Sequence, residues 1–190
     1  MRWPSPPDRA RGSLDDGTVG IRPQHPDDVG PLLDAVRESL DELGPWMGWA
    51  HPGYSLADAA EWIELQDRAW DAGERFGFAI VDIGTGRILG VGGLNRIDPV
   101  HRWANAGYWV RTSATGAGVA RRALRLMARF AFEVLEFGRI EVVADVDNVA
   151  SRRVAERAGA VFEGIARNRL STRGRSRDGA VYGLVPGSGS

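Results

Sequence analysis

The sequence predicts one α/β (α+β) domain, a mixed sheet with helices on both faces. Three observations carry this. Residues 104–144 read as strand, glycine turn, amphipathic helix and β-branched strand, a βαβ crossover whose two strands must run parallel. Residues 76–81 and 87–94 are apolar runs joined by Asp82-Ile83-Gly84-Thr85-Gly86, a connection that suits an antiparallel hairpin. Ahead of them lie two segments whose apolar residues step by three and four, as in helices with one buried face.

In chain order, residues 1–16 carry Pro, Arg and Gly without periodicity and read as a flexible N-terminal arm, ahead of a single domain over 17–185 and a tail over 186–190. Residues 18–22 are a short β-type run closed by Pro23. Asp27 or Asp28 then opens a helix with Val29, Leu32, Leu33, Val36, Leu40 and Leu43 on one face, which Gly44-Pro45 stops. Ser55 and Asp58 form a capping box for a second helix that carries Ala59, Trp62, Ile63, Ala69 and Trp70 and ends near Gly73. The hairpin follows. Residues 104–110 are the next strand, with Gly107 at a position that suits a bulge or a close backbone approach. After the glycine turn comes the most strongly patterned helix, with Val119, Ala123, Met127, Phe130, Ala131, Val134 and Leu135 on one face, Arg121, Arg122, Arg125, Arg129 and Glu133 on the other, and Gly138 at its end. Residues 139–144 form a strand, Asp147 or Asn148 caps a helix that Gly159 ends, residues 160–162 begin a strand and residues 180–185 form the last.

Composition removes several function classes. A chain of 190 residues buries roughly 70% of its unfolded surface, so a core needs no staples. There is no Cys, hence no disulfide, thiol nucleophile or Cys-based metal site, and His25, His51 and His101 are scattered, so no metal is expected. All 24 basic residues are Arg, which excludes Schiff-base chemistry, and against 25 acidic residues they leave a net charge of −1, with no global field for nucleic acid. No apolar run is long enough to span a bilayer and no signal peptide is visible, so no membrane partner and a cytoplasmic location are expected.

The stretch Thr115-Gly116-Ala117-Gly118-Val119-Ala120 carries the chemistry. The first N–H groups of a helix lack intrahelical partners and sit at the positive end of its dipole, and the glycines keep no Cβ between them and a ligand. A phosphate fits there without a basic side chain. A P-loop would need a Lys, which the chain lacks. A dinucleotide fingerprint would need a third Gly where Arg121 stands.

This hexapeptide resembles the Gln/Arg-x-x-Gly-x-Gly/Ala loop of the Gcn5-related N-acetyltransferases (GNAT), with Thr115 in the place of the Gln or Arg. The element order is that of the family too. Within it, Glu38-Ser39-Leu40, Leu43-Gly44-Pro45-Trp46-Met47-Gly48-Trp49-Ala50, Gly107-Tyr108-Trp109-Val110, Asn148-Val149-Ala150-Ser151-Arg152-Arg153-Val154 and Gly159-Ala160-Val161-Phe162-Glu163-Gly164 are similar to the ribosomal-protein N-terminal acetyltransferases (RimJ/RimL-like). The resemblance implies a six- to seven-stranded, mostly antiparallel sheet with a splayed central parallel pair, and acetyl-CoA as cofactor. It implies that Trp109, Val110, Arg111, Thr115, Gly116, Ala117, Gly118, Val119, Ala120, Asn148 and Ser151 hold that cofactor, that Ser151 is the general acid, and that Trp46, Trp49 and Tyr108 meet the acceptor. Asn148 and Ser151 also have a purely structural reading, as N-cap and N3 of a helix. No general base is named: the Glu that relatives place before Gly-Tyr-Trp is replaced in Asn105-Ala106, the other family position is Leu170, and His101, Asp98, Asp145 and Glu74 read equally well as surface groups.

The leading expectation is acetyl transfer to a primary amine, a protein N-terminus, by direct attack in a ternary complex. A small-amine acceptor, a CoA-binding module without catalysis, and a nucleic-acid binder using Arg167, Arg169, Arg173, Arg175 and Arg177 are the alternatives; a homodimer stays open.

Overall fold

A computed structural model describes residues 6–187. Its eight strands form one sheet in the order β1-β2-β3-β4-β5-β6-β8-β7: β1 Leu14–Asp15, β2 Val19–Pro23, β3 Phe76–Asp82, β4 Ile88–Asp98, β5 Trp103–Val110, β6 Arg139–Asp145, β7 Val161–Thr172 and β8 Arg175–Leu184. Every neighbouring pair is antiparallel except β5 and β6. Helices α1 Val29–Glu38, α2 Leu40–Leu43 and α3 Leu56–Asp71 precede the hairpin; α4 Val119–Arg129 makes the crossover and α5 Val149–Ala158 follows β6. This is the expected mixed fold, with one two-residue edge strand beyond the expected count.

The two faces of the sheet are covered by different helices. On one side Leu32, Leu33, Val36, Ala59 and Ile63 of α1 and α3 pack with Val91. On the other, α4 buries Val119, Ala123, Leu124 and Met127. A Cβ on Gly92 would stand 2.8 Å from Met127 Sδ, so glycine lets α4 lie this close to the sheet. The helix then widens into a single π turn, Phe130–Val134, which carries Phe130 into a ring cluster with Trp70, Phe76 and Phe78 at centroid distances of 5.1–5.8 Å. Truncating so buried a ring typically costs ~3–5 kcal/mol.

The structure departs from the sequence reading in five places. Part of the predicted arm is docked: Arg9–Gly12 form a 3₁₀ turn, Arg9 pairs with Asp67 and Asp71 on α3, and Trp70 Nε1 donates to the Pro7 carbonyl. Residues 1–5 of the arm and 188–190 of the tail lie outside the described residues. The first helix breaks at Ser39, because its hydroxyl donates back to the Ala35 carbonyl and accepts the Thr112 N–H. Gly107 lies in regular register opposite Gly93, and the irregularity falls between Asn95 and Asp98. The last two strands form a hairpin far longer than expected. Along it, Arg169 pairs with Glu141, and Arg177 with Asp145 and Asp147, so part of the Arg-rich run is consumed within the fold.

Candidate active site

Gly116 and Gly118 both sit in the left-handed region, at φ +76° and +78°. Gly118 is the N-cap of α4 and offers no side chain to the N–H groups that follow. Nothing lies within 4 Å of where a Gly116 Cβ would be, and at Gly118 only Arg121 Nη2 approaches, at 3.7 Å. The turn is therefore an open anion cradle with a guanidinium at its edge. Arg121 was placed by periodicity on the outer face; the tight turn brings it back. Thr115 is exposed, and its hydroxyl is engaged within the turn, donating to the Thr112 carbonyl at 2.7 Å.

The ladder between β5 and β6 holds only from Trp103/Arg139 to Asn105/Glu141, after which β6 runs with β8 and β5 stays with β4. Because the Arg111 N–H donates to the Leu89 carbonyl, antiparallel alternation turns the peptide groups of Trp109 toward β4 and those of Tyr108 and Val110 toward the opened side. Two strand residues thus present polar backbone to a cleft. The side chains alternate as well. Tyr108 faces α5, where its hydroxyl donates to the Ser151 carbonyl at 3.2 Å and lies 3.5 Å from Ser151 Oγ. Burial pushes the Tyr108 phenol up to about 12, so it stays protonated. Asn148 caps α5, its side-chain oxygen accepting the Ser151 N–H at 3.0 Å, which fixes Ser151 at the helix start beside the cleft.

Arg111 is not available to a ligand. Its guanidinium is buried, donating to the Ile88 carbonyl and to Glu38, and its own carbonyl accepts from Ala114. Glu38 also accepts the Ser113 N–H; these bonds, chiefly those to Arg111, hold its carboxyl down at about 2. The Glu38-Ser39 pair thus clamps the end of α1 to the turn that precedes the glycines.

On the other face of β5, Trp109 closes a cavity of about 300 Å³ with Leu32 and Val36 of α1, Trp49, His51 and Tyr54 of the interhelical loop, and Asp58, Glu61, Trp62 and Leu65 of α3. The ring centroid of Trp49 lies 5.8 Å from that of Tyr54 and 6.0 Å from that of Trp109. Trp46, expected beside Trp49, is half-buried and not part of this wall.

A family model described as Acetyltransferase (GNAT) domain matches residues 18–161. The chain belongs to the GNAT acetyltransferase family. It is 31% identical over 167 residues, 88% of this chain and 91% of the relative, to the Bacillus subtilis (strain 168) protein named "Putative ribosomal N-acetyltransferase YdaF". It is 35% identical over 77 residues, 40% of this chain and 43% of the relative, to the Escherichia coli (strain K12) ribosomal-protein-serine acetyltransferase. A solved GCN5-related N-acetyltransferase from Brucella melitensis superposes with a TM-score of 0.79 at 27% identity, covering 96% of this chain and 82% of that one.

The protein is thus a GNAT N-acetyltransferase, whose family cofactor is acetyl-CoA. The residues present fit that group: a glycine turn open on its outer side, a helix N-terminus without a side-chain cap, and the outward backbone of Tyr108 and Val110. Among the residues assigned from sequence, Gly116 to Ala120, Val110, Asn148 and Ser151 border this cleft. Trp109 and Tyr108 exchange sides: the first lines the cavity and the second meets Ser151. The four groups weighed as base are paired or exposed elsewhere. Asp145 is held low by Arg177, Asp98 pairs with His101 beyond the opposite end of β5, and Glu74 is exposed after α3. His51, Asp58, Glu61 and Arg121 are the polar residues that motif reading missed.

Proposed function

We propose that this GNAT enzyme acetylates the α-amine of a protein or peptide N-terminus. The observation that carries the reading is the arrangement about the end of β5: the Tyr108–Ser151 pair on one face, an aromatic cavity walled by Trp109 on the other, and the opened strand edge between them. The ribosomal-protein names of two relatives support a protein acceptor.

When bound, acetyl-CoA supplies a thioester-activated acetyl group. The amides from Gly116 to Ala120, with Arg121, would hold its pyrophosphate, and the outward peptide groups of Tyr108 and Val110 would orient its pantetheine arm. Ser151 Oγ would give its proton to the departing sulfur and regain one from the amine nitrogen, which becomes acidic as the amide bond forms; the Tyr108 hydroxyl, kept protonated by burial and 3.5 Å from Oγ, would turn its proton from the Ser151 carbonyl to Oγ and limit charge build-up there. No committed carboxylate base is needed. An α-amine has pKa of about 7.7–8.0 against about 10.4 for a lysine side chain, so at pH 7 roughly a tenth of it is already neutral, against less than about a thousandth of the lysine amine.

The test uses peptides of one sequence containing a lysine, blocked either at the N-terminus or at the lysine, with release of free thiol as the readout. The open N-terminus should react faster. Faster reaction at the lysine amine, or at a non-peptide amine, would overturn the proposal.

A further inference from the structure

The cavity beside Trp109 is more than an apolar slot. We infer that it is a subsite for a cationic group on the acceptor, namely a lysine or arginine side chain near the N-terminus being acetylated. The inference rests on reading this face as the acceptor side.

Three features point to that chemistry. First, the rings are tilted rather than stacked: Trp49 meets Tyr54 at 56° and Trp109 at 51°, so they form a concave corner that exposes ring faces to a guest. Ring faces carry negative potential, and tryptophan is the strongest of the cation–π acceptors. The Arg75 guanidinium already lies 5.8 Å from the centroid of Trp62, another ring of this wall. Second, Asp58 and Glu61 stand three residues apart on α3, on one helical face, and both line the cavity. Among the described residues neither has a basic side chain within ion-pair distance. Asp58 takes the Ser55 N–H and hydroxyl on Oδ2, which holds its carboxyl below the usual range and leaves Oδ1 free of that cap. Third, Leu32, Val36 and Leu65 supply apolar wall, so the occupant that matches has an aliphatic stem and a charged head. His51 is the one basic residue among those lining the cavity, against two carboxylates.

The intact enzyme carries its own reporter, because three tryptophans line the cavity. Peptides already acetylated at the N-terminus, so that they cannot turn over, are titrated against tryptophan fluorescence at pH 8. Pairs differ at one position, lysine against norleucine and arginine against citrulline. The cationic member should bind about tenfold tighter at low salt. That ratio should fall toward one in Glu61→Gln, whose side chain is exposed and whose loss does not threaten folding, and further in Asp58→Asn with Glu61→Gln. Equal or tighter binding of the neutral isostere, or a preference for cations that survives the double substitution, overturns the subsite. A parallel titration with 1,5-diaminopentane separates the sources. Tight, carboxylate-dependent binding of the diamine, together with its acetylation in preference to every peptide, keeps the cation subsite and overturns the peptide acceptor. Carboxylate-dependent preference for the lysine peptide supports both.

Discussion

The neighbours Tyr108 and Trp109 belong to two differently built halves of one site. On the side of Tyr108 the groups open to a ligand are backbone: amides of a glycine turn, a helix N-terminus, the exposed edge of a strand. On the side of Trp109 they are side chains drawn from α1, the interhelical loop, α3 and β5. Backbone cradles tolerate wide variation in sequence as long as a few conformations are kept, whereas a side-chain cavity is redefined by each substitution. On the proposed reading, the backbone half would serve the chemistry shared by the family, and the side-chain half would be where this chain becomes selective.

The sharpest break in this comparison is Gly118→Val. At φ +78° a β-branched residue is strained, and its bulk stands where the phosphate must approach. CoA affinity measured by calorimetry should fall by about a hundredfold or more, while the acceptor-side fluorescence response persists. Retained CoA affinity in a folded variant would mean that the turn is not the phosphate site. Next in size is Ser151→Ala, which should lower kcat by about a hundredfold and leave CoA affinity nearly unchanged, since protonation of the leaving group matters chiefly in the transition state. Tyr108→Phe should lower kcat less, and in the double variant the losses should not add, because both groups serve one proton. Additive losses would separate Tyr108 from that proton.

The two halves are tied together by Glu38, at the end of α1, and Arg111, after β5. Glu38→Gln should destabilise the fold by about 2 kcal/mol near neutral pH, the scale of charge-assisted bonds to a partly shielded carboxylate. The sign of the pH dependence follows from a folded-state value of about 2 against an ordinary 4.5. The carboxylate's contribution is fully present above the ordinary value and is lost as pH falls from there toward 2. The difference in chemical-denaturation midpoint between parent and variant should thus stay constant from pH 8 to 6 and shrink below pH 4.5. A difference that is flat throughout this range would assign the loss to packing rather than charge.

What the sequence revealed divides along the same line. The glycine turn was legible as a turn because its glycines stand just ahead of a helical apolar repeat, while its assignment to the cofactor came from the family resemblance; the helices were legible because their apolar residues repeat, and α4 and the Ser55–Asp58 box stand where periodicity and the capping motif placed them. Residues 163–179 were not legible as strands, since a hairpin polar on both faces shows no alternation and two of its arginines, Arg169 and Arg177, are paired with Glu141, Asp145 and Asp147 from elsewhere in the chain. Docking of the segment around Arg9 likewise depends on Asp67 and Asp71, some sixty residues away. The exchange of Tyr108 and Trp109 was accessible in principle. Strand alternation puts neighbours on opposite faces, so they cannot both be assigned to the sides they had been given without knowing which helix covers which face. His51 and Glu61 carried no motif and Asp58 only that of a helix cap, and only the meeting of loop and α3 makes them a wall.

The finest test is between two tryptophans three residues apart. Sequence treats Trp46 and Trp49 alike, two aromatic residues in one loop, and the family resemblance assigns both to the acceptor. The structure gives them different surroundings: Trp49 is 38% exposed and forms the corner of the cavity with Tyr54 and Trp109, whereas Trp46 is half-buried outside that wall. Truncating an aromatic anchor at a ligand contact commonly costs about 1–2 kcal/mol of binding, which is roughly tenfold. Trp49→Ala should therefore raise KM for a peptide acceptor about tenfold, with CoA affinity and kcat at saturating peptide little changed, because only ground-state docking of the acceptor is lost. Trp46→Ala should raise KM by less than about threefold, its surroundings lying off the docking wall. If Trp46 proved the stronger determinant, the acceptor would run along the outside of the loop, and the cavity beside Trp109 would lose its claim to the acceptor.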